Sequence, residues 1–252
     1  MSTTNSSISD NGQYPNIVQQ ALTNDNIFKS FKRHPWYTPI LEHVSHYDGL
    51  EYLKIIKNDY PFLLKNVEKY KTNDKIGNPI IHNYNDVGDI SPTTLRYIKV
   101  LGEIIESFGS LDGLDIVEIG CGYGGQAKLI FDTYDVKSYT FIDLPVVLDL
   151  IKKYLSNFDI DMDKLIFKDI TLLTENEKYD LFISNYAYTE CSESIREVYF
   201  KTVLINSKMG YLTSNFLSRE TMKDEVMNKF ENSFIIEERP HTGDRNFIIV
   251  WK

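Results

Sequence analysis

From about residue 110 onward the chain alternates short apolar runs with segments of helical period. The runs 115–119, 138–142, 165–167, 180–184 and 210–214 are rich in Val, Ile, Leu, Phe and Tyr, and each has the length of a buried strand. Segments 126–131, 146–154 and 219–231 carry helical patterning. Two further runs, 233–238 and 246–251, are separated only by 239–245. That connection is too short for a crossover helix, so the two should pair as an antiparallel hairpin. The pattern predicts an α/β chain: five strands alternating with helices, closed by a reversed hairpin.

The first part of the chain reads differently. Residues 1–15 are polar and rich in Ser, Thr and Asn, which predicts an unstructured tail. Residues 16–109 read as mostly helical but are broken by prolines, which predicts several short helices acting as a cap over the sheet domain, 110–252. The clearest helix is 93–108, where Leu95, Ile98, Leu101, Ile104 and Ile105 recur near helical spacing. Ser91 and Pro92 fit its N-cap and first turn.

The first sheet run leads into Glu118-Ile119-Gly120-Cys121-Gly122-Tyr123-Gly124-Gly125-Gln126. Glycines there let the chain turn sharply and bring bare backbone against a ligand, with the N-H groups of the next helix facing it. Gly120, Gly122 and Gly125 satisfy the dinucleotide pattern, which both NAD and S-adenosylmethionine sites share. Glu118 favours the second, because a carboxylate suits a cationic methionine portion and opposes a pyrophosphate. No Tyr-x-x-x-Lys pair of the short-chain dehydrogenase type occurs in the chain.

Other candidate cofactor contacts follow in order. Asp143 ends the second run at the distance where a carboxylate grips ribose hydroxyls, although it also fits a helix cap ahead of Pro145. Asp169 follows the third run, where an acid can accept from an adenine amino group. Cys121 and Gln126 at the turn, Leu144 beside Asp143, Ile170 beside Asp169, and Asn185 at the end of the fourth run complete the set.

Charge narrows the substrate. A net charge of -9 and a pI near 5.1 oppose a nucleic-acid acceptor, which needs a basic groove. Two cysteines imply no disulfide framework and fit a reducing compartment. The start has no charged-then-apolar leader, and no apolar run approaches the ~20 residues that span a bilayer. The expectation is a cytoplasmic protein without membrane insertion; whether it forms a homo-oligomer is open.

The blocks Gly77-Asn78-Pro79, Ser91-Pro92-Thr93-Thr94-Leu95-Arg96-Tyr97, Glu118 to Gly125, Asp143-Leu144-Pro145, Ser184-Asn185-Tyr186-Ala187-Tyr188-Thr189-Glu190 and Arg239-Pro240 together resemble the sugar O-methyltransferase family, over residues 75–252. The resemblance implies the class I S-adenosylmethionine-dependent fold: a Rossmann-like, seven-stranded mixed sheet whose seventh strand is antiparallel, with helices on both faces. It implies methyl transfer from S-adenosylmethionine, leaving S-adenosylhomocysteine, to a hydroxyl of a nucleotide-linked or glycan sugar.

Such a hydroxyl is a weak nucleophile and needs a base. His241 in the hairpin loop and Glu190 beyond the fourth strand are the candidates. His82, Tyr84, Thr94, Arg96 and Tyr188 are candidates for acceptor binding, and Tyr186 with Tyr188 for an aromatic wall at the methionine portion. Asp169, Glu190 and Glu193 form no compact cluster, and His43 with His46 reads as a surface or capping pair, so no metal is expected. A phenolic O-methyltransferase (the chain is 13% aromatic) and a non-catalytic cofactor-binding module are the competing readings.

Overall fold

The computed structural model describes residues 12–215, 220–243 and 245–252. The chain opens with α1 (Gln13–Thr23), α2 (Asp25–Phe28), α3 (Thr38–Leu41), α4 (His46–Asp59) and α5 (Val67–Tyr70), joined by 3-10 turns. A small antiparallel hairpin of β1 (His82–Tyr84) and β2 (Gly88–Ile90) precedes α6 (Pro92–Phe108). Then come β3 (Asp115–Ile119), α7 (Gly125–Thr133), β4 (Ser138–Ile142), α8 (Pro145–Leu155), β5 (Leu165–Lys168), β6 (Tyr179–Asn185), α9 (Ala187–Glu190), α10 (Glu193–Thr202), β7 (Ser207–Ser214), α11 (Glu220–Lys229), β8 (Phe234–Glu237) and β9 (Phe247–Trp251).

The large sheet has seven strands in the order β5-β4-β3-β6-β7-β9-β8. β5, β4, β3, β6 and β7 pair in parallel, while β9 runs antiparallel to both β7 and β8. Chain order reverses between β3 and β6, and the carboxyl ends of strands at such a switch point open a crevice.

Both faces of the sheet are covered along its central strands, which show it residue by residue. Ile116, Tyr139, Phe141, Leu181, Ile183, Tyr211, Ile248 and Val250 share one buried cluster with α1, α4, α6, α7 and α8. Val117, Ile142, Phe182, Leu212, Ile249 and Trp251 share a second with α10 and α11. Neighbours along a strand point to opposite faces, so a strand covered on both sides reads as a continuous apolar run. Gly210 leaves room for the indole of Trp251, where a Cβ would sit 2.0 Å from a ring carbon.

α6 forms where the pattern put it. The Ser91 hydroxyl accepts the Thr94 amide at 3.0 Å, Pro92 occupies the first turn, and the helix stops at Gly109 with φ 81°. Two parts of the first hundred residues depart from expectation. Of the expected tail, residues 1–11 lie outside the described residues, but from Gln13 the chain is helical, because Tyr14, Ile17, Val18 and Ala21 form a buried stripe. The β1–β2 hairpin interrupts the segment expected to be helical.

The N-terminal segment is fastened to the sheet domain. Lys153 on α8 donates to the carbonyls of Ala21 at 3.2 Å and Leu22 at 3.1 Å, and Phe31 packs edge to face on Tyr123 at 6.0 Å. Among the described residues no helix is long and apolar enough to cross a membrane. Residue 219, the expected start of the last helix, lies outside the described residues.

Candidate functional site

A cavity of about 560 Å3 opens at the carboxyl ends of β3, β4, β5, β6 and β7, roofed by Tyr14, Ile40, Leu41 and Tyr52 from α1, α3 and α4. Each residue expected at the cofactor lines it: Glu118, Gly120, Cys121, Gly122, Gln126, Asp143, Leu144, Asp169, Ile170 and Asn185.

The glycine turn is close-packed. Gly120 has φ 74°, and a Cβ there would lie 1.9 Å from the Cβ of Ala187. At Gly122, φ is 57° and a Cβ would meet the Leu41 side chain at 2.8 Å, so α3 lies directly over the turn. Both positions need glycine for conformation and for space.

Two carboxyls flank the turn. Glu118 is buried and takes one hydrogen bond, from the Tyr139 hydroxyl at 2.8 Å. Burial pushes its pKa up to about 8, with the nearby Asp143 adding to the rise. Asp143 accepts the amides of Cys121 and Leu144, each at 2.8 Å, while burial lifts its pKa to about 6. Asp169 accepts the hydroxyl and amide of Thr171, which hold its pKa below the usual range. Gln126 donates to the Tyr97 carbonyl at 3.3 Å, and its buried Oε1 has no hydrogen-bond partner among the described residues. An under-bonded carboxyl and an orphaned amide oxygen beside a glycine cradle fit a cationic ligand group.

The other half of the cavity is polar and comes from distant segments. Arg96 on α6 donates to the Leu41 carbonyl at 3.3 Å. Lys99, one turn on, pairs with Glu103 at 2.6 Å, both 3% exposed. Glu190 accepts from Asn215 Nδ2 at 2.8 Å, and burial raises its pKa. Tyr186, Thr213, Asn215, Glu238, His241, Thr242 and Asn246 complete this wall. Glu238 is buried and accepts from the Tyr186 hydroxyl and from the Thr242 amide at 3.0 Å. His241 stands at the rim, its ring 57% exposed and 2.8 Å from Glu237.

No family model matches the sequence, and a search of curated proteins gave no match. Solved structures do resemble it. The methyltransferase domain of the bacterial protein CtHen1 superposes with a TM-score of 0.50 at 13% identity, over 62% of this chain and 96% of that one. The fold is that of the class I methyltransferases. Thermoplasma acidophilum 1320 (TM-score 0.45, 16% identity, 77% and 96% covered) is a looser likeness and adds nothing to that assignment. The same holds for M. capricolum TrmK, solved with S-adenosylhomocysteine (TM-score 0.43, 12% identity, 59% and 65% covered).

Four residues expected at the acceptor lie away from this cavity. Thr94 is locked in a buried knot, donating to Asp74 at 2.6 Å and accepting from Asn73 at 2.6 Å. Tyr84 is buried, stacks on His46 at 5.0 Å, and fits the space left by Gly49. His82 packs edge to face with His46 at 4.6 Å. Tyr188 is buried in the second core against Phe182, its hydroxyl without a partner among the described residues. Arg96 alone of that group lines the cavity.

The expected His43–His46 pair separates: His46 joins the hairpin, while His43 lines the cavity, its pKa lowered by burial and then by Arg96. Asp48 forms a capping box with Ser45. Among the described residues no group of three His, Cys, Asp or Glu side chains is arranged to hold a metal ion. Glu238, Thr242 and Asn246 were not anticipated. Their spacing of four within a loop carries no known signature, and Tyr186, which joins them, lies 52 residues earlier than Glu238.

Proposed function

We propose that the protein is an S-adenosylmethionine-dependent O-methyltransferase acting on a hydroxyl of a sugar, nucleotide-linked or part of a glycan. Bound S-adenosylmethionine would supply an electrophilic methyl on a sulfonium that leaves as neutral S-adenosylhomocysteine. Glu118 and Gln126 would face the cationic methionine portion, Asp143 the ribose hydroxyls, and Asp169 with Ile170 the adenine. The protein then has to align an acceptor oxygen with the methyl, exclude water, and take the hydroxyl proton. Glu190 and His241, the candidates for that proton, both line the cavity.

One observation carries the choice of acceptor. Beside the rings of Tyr52, Tyr97, Tyr186 and Tyr211, the cavity is lined by Arg96, Glu190, Thr213, Asn215, Glu238 and Thr242, a set of polar groups able to hydrogen-bond to several hydroxyls. A phenol pocket would be lined chiefly by apolar rings. The net charge of -9 opposes a polyanionic RNA.

The test is incubation with methyl-labelled S-adenosylmethionine and a panel of nucleotide sugars, free glycosides, catechols and an RNA oligonucleotide, read by mass spectrometry. Label on a sugar hydroxyl is the expected result. Label on a catechol or RNA replaces the substrate reading, and calorimetric binding of S-adenosylmethionine without transfer makes the protein a binding module.

A further inference from the structure

We infer that Tyr186 and Glu238 form a proton relay that carries away the acceptor's hydroxyl proton during methyl transfer. The inference rests on the O-methyltransferase reading above and names the route that reading left open.

Tyr186 follows β6 directly, at the switch point of the sheet, and has φ 68°, in the left-handed region that side chains other than glycine rarely adopt. Its amide donates to the Thr213 carbonyl on β7 at 2.9 Å, which holds the strained residue in place. That conformation turns the ring away from the strand and sends its hydroxyl to Glu238, beyond β8. Glu238 is 3% exposed, and the Thr242 hydroxyl reaches its Oε1 at 2.9 Å while the Thr242 amide reaches its Oε2 at 3.0 Å. Asn246 donates to the Thr242 hydroxyl at 3.0 Å, so the loop is bonded around this one carboxyl. Tyr186, Glu238, Thr242 and Asn246 all line the cavity.

A buried carboxyl surrounded by donors is held as an acceptor. Burial and the Glu238 charge both raise the Tyr186 pKa, so the phenol keeps its proton, and its oxygen, which also bonds to the Thr242 hydroxyl at 3.1 Å, lies on the cavity wall where it can pass a proton on to Glu238. In the step, the acceptor oxygen forms its bond to the methyl as the methyl–sulfur bond breaks, and that electron pair stays on sulfur. The hydroxyl proton passes to Tyr186 Oη while the phenol proton passes to Glu238 Oε1. Tyr186 thus ends neutral, and Glu238 ends protonated beside the exposed Thr242, from which the proton returns to water. The rival groups are tied elsewhere: Glu190 to Asn215, and His241 at the surface to Glu237.

The experiment uses the full chain and the sugar that takes up label in the panel. Tyr186→Phe and Glu238→Gln are each expected to lower kcat about 100-fold or more, the usual contribution of a positioned base. The acceptor KM and the calorimetric Kd for S-adenosylmethionine should stay within about threefold, because neither group holds the ground state alone. The double variant should be no slower than the slower single, since one route can be cut only once. A single variant retaining kcat within about tenfold, or losses that multiply, overturns the relay. So does a Glu190→Gln variant that alone abolishes kcat. If Glu238→Gln no longer binds S-adenosylmethionine, Tyr186→Phe decides by itself. A wild-type protein that methylates nothing in the panel overturns the O-methylation reading and the relay with it, and is told apart because the unaltered chain is then inactive.

Discussion

The half of the cavity around Glu118 comes from two adjacent strand ends and the turn between β3 and α7, all within residues 118–144. The half around Glu238 comes from α6, the end of β6, the end of β7 and the loop between β8 and β9. The first half is held by backbone: Gly120 and Gly122 in left-handed conformations, Asp143 on two amides, α3 laid over the turn. The second is held mainly by side chains, Tyr186 to Glu238 to Thr242 to Asn246, and Asn215 to Glu190. The two carboxyls show the contrast: Glu118 has a single donor and an elevated pKa, whereas Glu238 is ringed by donors. A backbone-built site tolerates little change in conformation. A side-chain-built site can be retuned one residue at a time.

Gly120→Ala should break the first half outright. Its Cβ would collide with Ala187 while the backbone stays at positive φ, a cost of about 2–4 kcal/mol. Thermal unfolding should drop by roughly 5–15 °C, with loss of S-adenosylmethionine binding by calorimetry. A variant that binds normally would show that the turn does not approach the ligand.

Asp143→Ala should be milder for the fold and selective for ligand. Losing a charged hydrogen-bond partner of the ribose, worth about 1.5–3 kcal/mol, raises the Kd about 10–100-fold. The parallel change in the second half, Tyr186→Phe, should leave that Kd alone, which sharpens the division.

Glu118 makes the affinity depend on pH. Its folded pKa is raised from 4.5 to about 8, so the free protein holds a proton there that the unfolded chain has released. Folded stability from this group is undiminished below the unfolded value and declines as pH rises through the folded value. A cationic methionine portion favours the ionised form, so binding should expel a proton below pH 8, and affinity should climb with pH and level off above it. Calorimetry in buffers of different ionisation enthalpy counts the proton. Glu118→Gln should abolish both the release and the slope.

Tyr188→Phe should have the smallest effect. Its hydroxyl is buried without a partner among the described residues, and removing it leaves the ring against Phe182. Stability should be unchanged or higher by up to about 1 kcal/mol, and turnover unaffected. A large loss of kcat would put Tyr188 in the site after all.

The sheet was largely readable because its central strands are covered on both faces, which shows as the apolar runs at Ile116–Val117, Phe141–Ile142 and Leu181–Ile183. The glycine turn was readable because its chemistry is contiguous in the chain. That Tyr84, Thr94 and His82 lie away from the cavity was hidden for the opposite reason. They sit in a block rich in polar and aromatic residues, and what they bond to (His46, Asp74 and Asn73) lies in segments whose packing no periodicity reveals. The hairpin of β1 and β2 was missed because three-residue strands are too short to show an alternation.

From β3 onward the alternation of strands and helices, the reversed final hairpin and the residues of the glycine turn follow from the sequence alone, because each depends on neighbours within a few positions. Which polar groups share the cavity with that turn was decided only by the tertiary structure. Arg96, Tyr186 and Glu238 come from three separate segments, and only the close packing of α6 and the strand ends around one crevice brings them to a single wall.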